Sequence, residues 1–269
     1  MANIMNSIYE INTLDDLAKK DTIIHCIHPL VKLITTFLYL ICVVSFNKYE
    51  ISGLIPFVFY PILITSLGEI PLAPILKRVL IAAPFILGVG VINLFYDKTP
   101  MNVAGIIINS GWITFLSLSI KILLTVVVSI LLIATTGMEN LACALRMIKV
   151  PKIFVMQILL TYRYISVLVE EASRMMKAYY LRAPGQKGVK MKDLGPFIGQ
   201  MLLRTYDRAQ RVYEAMKLRG FNGEYNSTAS LKIKLSDYLY LTIWCLFFIV
   251  ARNFNIPILI GNLFSGVIG

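Results

Sequence analysis

The stretch from Asp207 to Tyr225, DRAQRVYEAMKLRGFNGEY, joins a helical pattern to an abrupt stop. Upstream of this stretch and through it, apolar residues recur every three or four positions on one helix face, and arginines occupy the opposite face. Gly220 is the residue type that most often adopts the left-handed turn just beyond a helix. The pattern therefore predicts a long amphipathic helix with Arg219 in its final turn, where a cation also suits the helix dipole. The apolar positions are Ile198, Met201, Leu202, Thr205, Ala209, Val212, Tyr213 and Met216, and the arginines are Arg204, Arg208 and Arg211.

A second long helix is predicted over residues 154–179, where apolar residues keep the same period for about seven turns. It stops before Pro184, because proline cannot continue a helix and restricts the residue that precedes it. Both predicted helices thus end on a tripeptide with a central arginine, Leu181-Arg182-Ala183 and Leu218-Arg219-Gly220. A guanidinium held at such an end presents a planar fork suited to a carboxylate on another surface. The plainer interpretation is two arginines at solvated helix ends.

The composition is that of a membrane protein, with 57% hydrophobic residues, 15% charged residues and a mean hydropathy of +0.72. The positive charge is concentrated in residues 139–234, which hold 17 Lys and Arg against 7 Asp and Glu and so carry ten of the eleven net charges. A basic block beside membrane spans predicts a cytoplasmic location by the positive-inside tendency. The sequence lacks zinc-finger, RNA-binding and helix-turn-helix patterns, so a nucleic-acid partner is not expected.

Five apolar segments predict an all-α polytopic membrane protein with about five transmembrane helices, and a sixth crossing after Arg252 stays open. The predicted spans are residues 30–46, 51–67, 79–96, 112–136 and 238–260. They divide the chain into an N-terminal transmembrane region (1–136), a cytoplasmic region of long amphipathic helices (137–236) and a C-terminal transmembrane region (237–269). The first residues lack the features of a secretory signal, so the N-terminus is expected in the cytoplasm.

Lys121 is an ionisable residue placed deep in the fourth predicted span. It lies about 13 Å along the helix axis from Trp112, at roughly 1.5 Å per residue. A charge at this depth indicates either a functional site or a structural pairing, which includes snorkelling toward the interface. The sequence does not identify its partner.

The sequence contains no motif for catalysis or for a bound cofactor. It lacks a P-loop, a nucleophile elbow, a zinc-protease motif and a kinase signature. The adjacent acidic pairs Asp15-Asp16 and Glu170-Glu171 cannot form a facing acid–base pair, because helix neighbours point about 100 degrees apart. The four cysteines are scattered, and His25 and His28 alone do not make a metal site. The chain is therefore predicted not to be an enzyme and to bind no metal or cofactor itself.

Several motifs together resemble the transmembrane T component of energy-coupling factor transporters. They are Pro29-Leu30-Val31-Lys32-Leu33 at the first span, Thr135-Thr136 before a short helix that ends in Val150-Pro151, and the two arginine tripeptides. The stretch from Asp207 to Gly223 is most similar to the cobalt-type branch of these proteins, the CbiQ family. The likeness covers residues 27–250, and the first tripeptide departs from the family's usual small-Arg-Gly form.

The resemblance implies a scaffold that couples ATP hydrolysis by two cytoplasmic ATPase subunits to cobalt uptake through a separate substrate-binding membrane subunit, with a small accessory membrane subunit. It further implies that Leu181-Arg182-Ala183 and Leu218-Arg219-Gly220 contact the ATPases, each arginine seated against acidic groove residues. The long helices would contact the substrate-binding subunit, which holds the metal in the cobalt branch. Such a protein would reside in the cell membrane and supply cobalt for cobalamin biosynthesis.

Other functions stay open from the sequence. A T component that serves vitamins would carry the same motifs, because the coupling motifs do not choose the substrate. An integral membrane enzyme acting on lipid would gather anionic headgroups on its basic face, but it would need converging acid, base or nucleophilic residues near the interface. The sequence shows no such group. A membrane anchor that recruits a soluble partner is the simplest alternative.

Overall fold

The computed structural model describes residues 17–96, 100–103, 106–183, 185, 188–223 and 233–254. Within these ranges the chain is almost entirely helical, which confirms the predicted all-α polytopic membrane fold. The described residues form two compact units, the first of residues 17–137 and 233–254 and the second of residues 138–223. In chain order the elements are α1 (Pro29–Val44), a 3-10 helix (Ser52–Val58), α2 (Phe59–Leu67), α3 (Leu72–Tyr96), β1 (Pro100–Val103), β2 (Ile106–Asn109), α4 (Ser110–Thr136), α5 (Met138–Met147), α6 (Lys152–Arg182), α7 (Met191–Leu218) and α8 (Leu235–Asn253).

Three helices among the described residues are long and apolar enough to cross a membrane, judged by length and composition. They are α4, α6 and α8. α1 and the segment Ser52–Leu67 are shorter apolar helices. Because α6 belongs to the region that the sequence assigns to the cytoplasm, its cytoplasmic location stays a prediction, as does the division of the chain into three regions.

The third apolar segment begins earlier than predicted, because α3 starts at Leu72 rather than at residue 79. Pro74 lies in the first turn of α3, where a backbone N–H has no acceptor within the helix. The N–H that proline lacks therefore costs no hydrogen bond at this position. Residues 72–78, which lie between the second and third predicted spans, are therefore helical. The connection between the third and fourth predicted spans contains a two-stranded antiparallel hairpin, in which Met101 pairs with Ile108.

An aromatic cluster holds the last helix of the first unit against its first helices. The Tyr39 ring centroid lies 5.0 Å from that of Tyr60 and 5.5 Å from that of Phe248. The Tyr39 hydroxyl donates to the Phe57 carbonyl at 3.0 Å. Trp244 meets the Tyr60 ring edge-on at 4.6 Å. Because these rings come from α1, the 3-10 helix, α2 and α8, the cluster forms the core that joins the N-terminal and C-terminal apolar segments.

Two buried charged residues, Lys32 and Asp237, form hydrogen bonds between helices of the first unit. Asp237 of α8 is 2% exposed, and its carboxylate accepts the His28 backbone N–H at 2.9 Å and the Lys234 backbone N–H at 2.7 Å. Lys32 of α1 is 4% exposed and donates to the Thr135 carbonyl at 2.8 Å. Both residues therefore act as hydrogen-bonding anchors between helices that are distant in sequence.

Lys121 binds the residues that directly follow α1. Its Nζ donates to the Phe46 carbonyl at 2.6 Å and to the Asn47 carbonyl at 3.2 Å. Arg252 of α8 donates to the Ser45 carbonyl at 3.1 Å. Arg252 thus meets the negative end of the α1 dipole, and Lys121 holds the residues that follow it. Of the two interpretations that the sequence allows for Lys121, these contacts support structural pairing.

The second unit is built on an antiparallel pair of helices, α6 and α7. Near the turn between them, the Tyr179 hydroxyl donates to Asp193 Oδ2 at 2.7 Å. Further from the turn, Arg204 pairs with Glu171 at 2.5 Å. Between these two contacts the α6 residue moves back from 179 to 171, while the α7 residue advances from 193 to 204. The two helices therefore run in opposite directions.

The Gly- and Lys-rich residues 185–195 predict a turn or hinge between the two long helices, but the connection ends before Met191. α7 begins at Met191 and contains both Gly195 and Pro196. These residue types are typical of a turn, but here they lie within the first two turns of a helix whose other residues are mostly good helix formers. The short helix predicted at residues 139–148 is observed as α5.

Candidate functional site

The C-terminal end of α7 is closed by a left-handed glycine. Arg219 follows the last helical residue, and Gly220 has a φ of +80°. The Gly220 N–H donates to the Lys217 carbonyl at 2.9 Å, and the Phe221 N–H donates to the Met216 carbonyl at 3.0 Å. This pair of bonds is a Schellman motif, which satisfies two carbonyls that the helix end leaves without partners. The predicted helix stop at Gly220 is thus observed.

The C-terminal end of α6 has a different shape. The helix ends at Arg182, and Ala183 adopts φ −130° and ψ 70° with its N–H donating to the Tyr179 carbonyl at 3.0 Å. Pro184, which the sequence uses to predict this end, lies outside the described residues. The end falls where it was predicted, but it has no left-handed residue among the described positions next to the arginine.

The residues at the C-terminal ends of α6 and α7 are largely exposed. Leu181 is 84% exposed and Leu218 is 90% exposed, and Arg182, Arg219 and Gly220 are exposed as well, while Ala183 is half-buried. A single exposed leucine needs no explanation. Here two leucines are highly exposed, and each precedes an exposed arginine at a helix end. Each end therefore offers an apolar side chain next to a cation.

The two arginine ends lie far apart on the α6–α7 pair. The Tyr179–Asp193 hydrogen bond places the end of α6 next to the start of α7. From Asp193 to Arg219 the α7 axis extends about 39 Å at 1.5 Å per residue. Arg182 and Arg219 therefore stand at opposite ends of α7. One small protein surface cannot contact both ends at once.

The adjacent carboxylates of α6 are occupied by ion pairs with arginines other than Arg182 and Arg219. Glu170 lies 3.5 Å from Arg174, and Glu171 contacts Arg204 across the helix pair and lies 3.9 Å from Arg174. Both carboxylates of this acidic pair thus serve to hold helices. Among the described residues no group of three or more His, Cys, Asp or Glu side chains is arranged to hold a metal ion.

The chain matches a family model described as CbiQ, Cobalt transport protein, over residues 20–230. It is 23% identical to the energy-coupling factor transporter transmembrane protein EcfT of Bacillus subtilis, over 79% of this chain and 85% of that protein. It is 28% identical to the nickel permease LarQ of Lactiplantibacillus plantarum, over 42% of this chain and 43% of LarQ. An uncharacterized protein of Methanocaldococcus jannaschii is 27% identical over 78% of this chain and 75% of its own length.

Proposed function

Because the chain belongs to the CbiQ family of energy-coupling factor transporter transmembrane components, we propose that it couples ATP hydrolysis by two cytoplasmic ATPase subunits to cobalt uptake through a separate substrate-binding membrane subunit. The observation that carries this proposal is the pair of exposed Leu-Arg helix ends at opposite ends of one antiparallel helix pair. The family is a membrane transporter component, and we propose that this chain itself catalyses no reaction.

Each arginine end fits one ATPase subunit. Arg182 and Arg219 are exposed, and the hydrogen bonds and ion pairs of the described residues leave both guanidiniums available for carboxylates of an acidic groove. Leu181 and Leu218 would enter the same grooves as apolar contacts, with Ala183 and Gly220 against the groove rim. The separation of about 39 Å along α7 requires two grooves rather than one. Two ATPase subunits meet that requirement.

The helix pair is suited to transmit movement between the ATPases and the membrane. The Tyr179–Asp193 hydrogen bond and the Arg204–Glu171 ion pair tie α6 to α7 at two levels. A displacement of one end is then carried to the other helix instead of being absorbed by a hinge. Closure of the ATPase pair on ATP would in this way move both helices and tilt the substrate-binding subunit.

The substrate-binding subunit, with a small accessory membrane subunit, would cover the apolar surface of α7. No residue of α7 is buried within the described residues. Met191 is 89% exposed, Ile198 55% and Leu202 67%, and these residues fall in the first half of the helix. Apolar side chains exposed along one helix mark a surface that contacts another protein or lipid. We place the whole assembly in the cell membrane, with the N-terminus and the second unit in the cytoplasm.

The transported ion is inferred from the family description and from the name of one relative. The family description names cobalt, and the partial similarity to a nickel permease makes Ni²⁺ the second candidate cargo. Uptake of radioactive Co²⁺ in the presence of excess Ni²⁺, in cells that express the complete transporter, separates the two ions. Cobalt uptake that persists under excess nickel supports the first assignment.

The double variant Arg182→Glu/Arg219→Glu tests the coupling role. In cells that also express the ATPases and the substrate-binding subunit, we expect the variant to insert normally, to lose copurification of the ATPases and to lose Co²⁺ uptake. Arg163→Glu/Lys177→Glu is a matched control, because both residues are exposed on α6 and away from its end. Full uptake by the double variant would reject the proposal.

A further inference from the structure

A polar cleft between α6 and α7 has a lining that carries more positive than negative charge. Its volume is about 270 Å³. The polar residues that line it are Glu171 of α6 and Arg204, Thr205, Asp207, Arg208 and Arg211 of α7. Three guanidiniums thus face one space together with two carboxylates and a hydroxyl. Such a space is large enough for a phosphate group.

The two carboxylates do not neutralise the three arginines. Glu171 is engaged by Arg204 at 2.5 Å and by Arg174, which lies outside the cleft, at 3.9 Å. Arg208 and Arg211 form no ion pair with any part of the chain that the structure describes, and the local Asp207–Arg211 pair that helix spacing favours is not formed. Both guanidiniums therefore keep their N–H donors for an outside anion.

Apolar side chains are exposed in the turn of α7 beside these arginines. Leu202 is 67% exposed, and Leu203 and Tyr206 are each 60% exposed. α7 thus carries exposed apolar side chains and exposed arginines on different faces. This arrangement is typical of a helix at a membrane surface, where apolar residues reach the acyl region and cations reach the phosphates.

We propose that the α6–α7 cleft binds the phosphate of an anionic phospholipid, with Arg208 and Arg211 as its principal contacts. The site rests on the proposed cytoplasmic placement of this helix pair, because the cytoplasmic leaflet supplies the anionic lipid. The planar guanidinium fork matches two phosphate oxygens. The acyl chains lie along Leu203, which is 60% exposed and one helical turn from Asp207 of the cleft lining.

The variant Arg208→Gln/Arg211→Gln tests this site in the full-length chain. Native mass spectrometry in mild detergent measures the binding of phosphatidylglycerol, of phosphatidylcholine and of inorganic phosphate. We expect phosphatidylglycerol to bind most tightly, and the variant to weaken its binding about thirtyfold, a factor of about five for each cation at a membrane surface. Neither arginine forms an ion pair with a carboxylate of the described residues, so the fold of the variant is expected to persist, as an unchanged melting temperature would show.

The control Arg163→Gln/Lys177→Gln removes the same charge from exposed positions of α6 outside the cleft. It should retain the affinity of the unmodified chain. Equal weakening by the control, or equal binding of phosphatidylcholine, would overturn the site. Displacement of the lipid by an equal concentration of inorganic phosphate would overturn its assignment to a lipid. An acidic partner protein would instead be identified if Arg208→Gln/Arg211→Gln lost the ATPases and kept the lipid.

The two proposals fail separately. Arg182→Glu/Arg219→Glu should lose the ATPases and still bind phosphatidylglycerol. Arg208→Gln/Arg211→Gln should lose phosphatidylglycerol and still copurify with the ATPases. A chain that copurifies with the ATPases without any preference for phosphatidylglycerol would leave the coupling role intact and refute the lipid site.

Discussion

Replacing Gly220 with alanine tests whether the shape of the α7 end, and not only its charge, is needed to hold an ATPase subunit. Gly220 has a φ of +80°, and no heavy atom lies within 4 Å of a Cβ added there. The cost of Gly220→Ala is therefore backbone strain alone, about 1–2 kcal/mol. That strain corresponds to a fall of about fivefold to thirtyfold in the ratio of capped to uncapped helix ends.

Loss of the left-handed residue would also break the two hydrogen bonds that close the helix. These are the bonds from the Gly220 N–H to Lys217 and from the Phe221 N–H to Met216. Arg219 would then no longer be held in one direction. We expect the affinity of the α7 end for an ATPase subunit to fall by up to about thirtyfold, because only chains with the capped end bind. Gly220→Asn should retain most of the affinity, since asparagine tolerates the left-handed conformation.

The assay titrates purified ATPase subunit against the immobilised full-length chain in detergent. It is done in an Arg182→Glu background, so that only the α7 end is available for binding. Gly188→Ala is the matched control, because Gly188 has a φ of +88°, an equally open surrounding and a position in the turn between the helices. Unchanged binding by Gly220→Ala, or equal weakening by Gly188→Ala, would refute the requirement for a shaped end.

Two further predictions concern the stability of the first unit, and both are measured as the melting temperature of the purified chain in detergent. Lys121→Met keeps the length of the side chain but removes the donor to two carbonyls, so we expect a loss of about 2–4 kcal/mol, whereas Lys77→Met at an exposed position of α3 should have little effect. Asp237→Ala leaves the His28 and Lys234 N–H groups without their acceptor and should cost about 2–4 kcal/mol, with the exposed Asp207→Ala as its control. Melting temperatures equal to those of the controls would contradict these roles.

The helix ends could be predicted from sequence because local chemistry decides them. Gly220 needs no distant contact to adopt a positive φ, and a proline at position 184 cannot donate the backbone hydrogen bond that a continuation of α6 would require. The start of α3 was predicted wrongly, since Pro74 reads as a loop residue although a proline in the first turn costs no hydrogen bond. Whether a proline breaks a helix or begins one depends on where the helix starts, which composition alone does not determine.

The partners of the buried charges could not be predicted from sequence. Lys121 finds its acceptors at Phe46 and Asn47, about seventy-five positions earlier in the chain, and Asp237 finds His28 at an even greater separation. Sequence patterns describe one element at a time, and these pairs exist only because α4 and α8 pack beside α1. The charge of the arginine cleft could not be predicted for the same reason, because Glu171 of α6 forms an ion pair with Arg204 of α7.

The low burial of α7 links its stability to its function. A helix owes most of its stability in a protein to the packing of an apolar face, and α7 buries no residue within the described part of the chain. The exposed apolar residues and the arginine face of α7 must then be stabilised by contacts with other surfaces. In the proposed assembly these surfaces are the membrane, the substrate-binding subunit and the ATPases. Binding at any of these surfaces would stiffen the same helix and lower the entropy that the next partner has to overcome. Partner binding and force transmission would therefore depend on the same 28 residues.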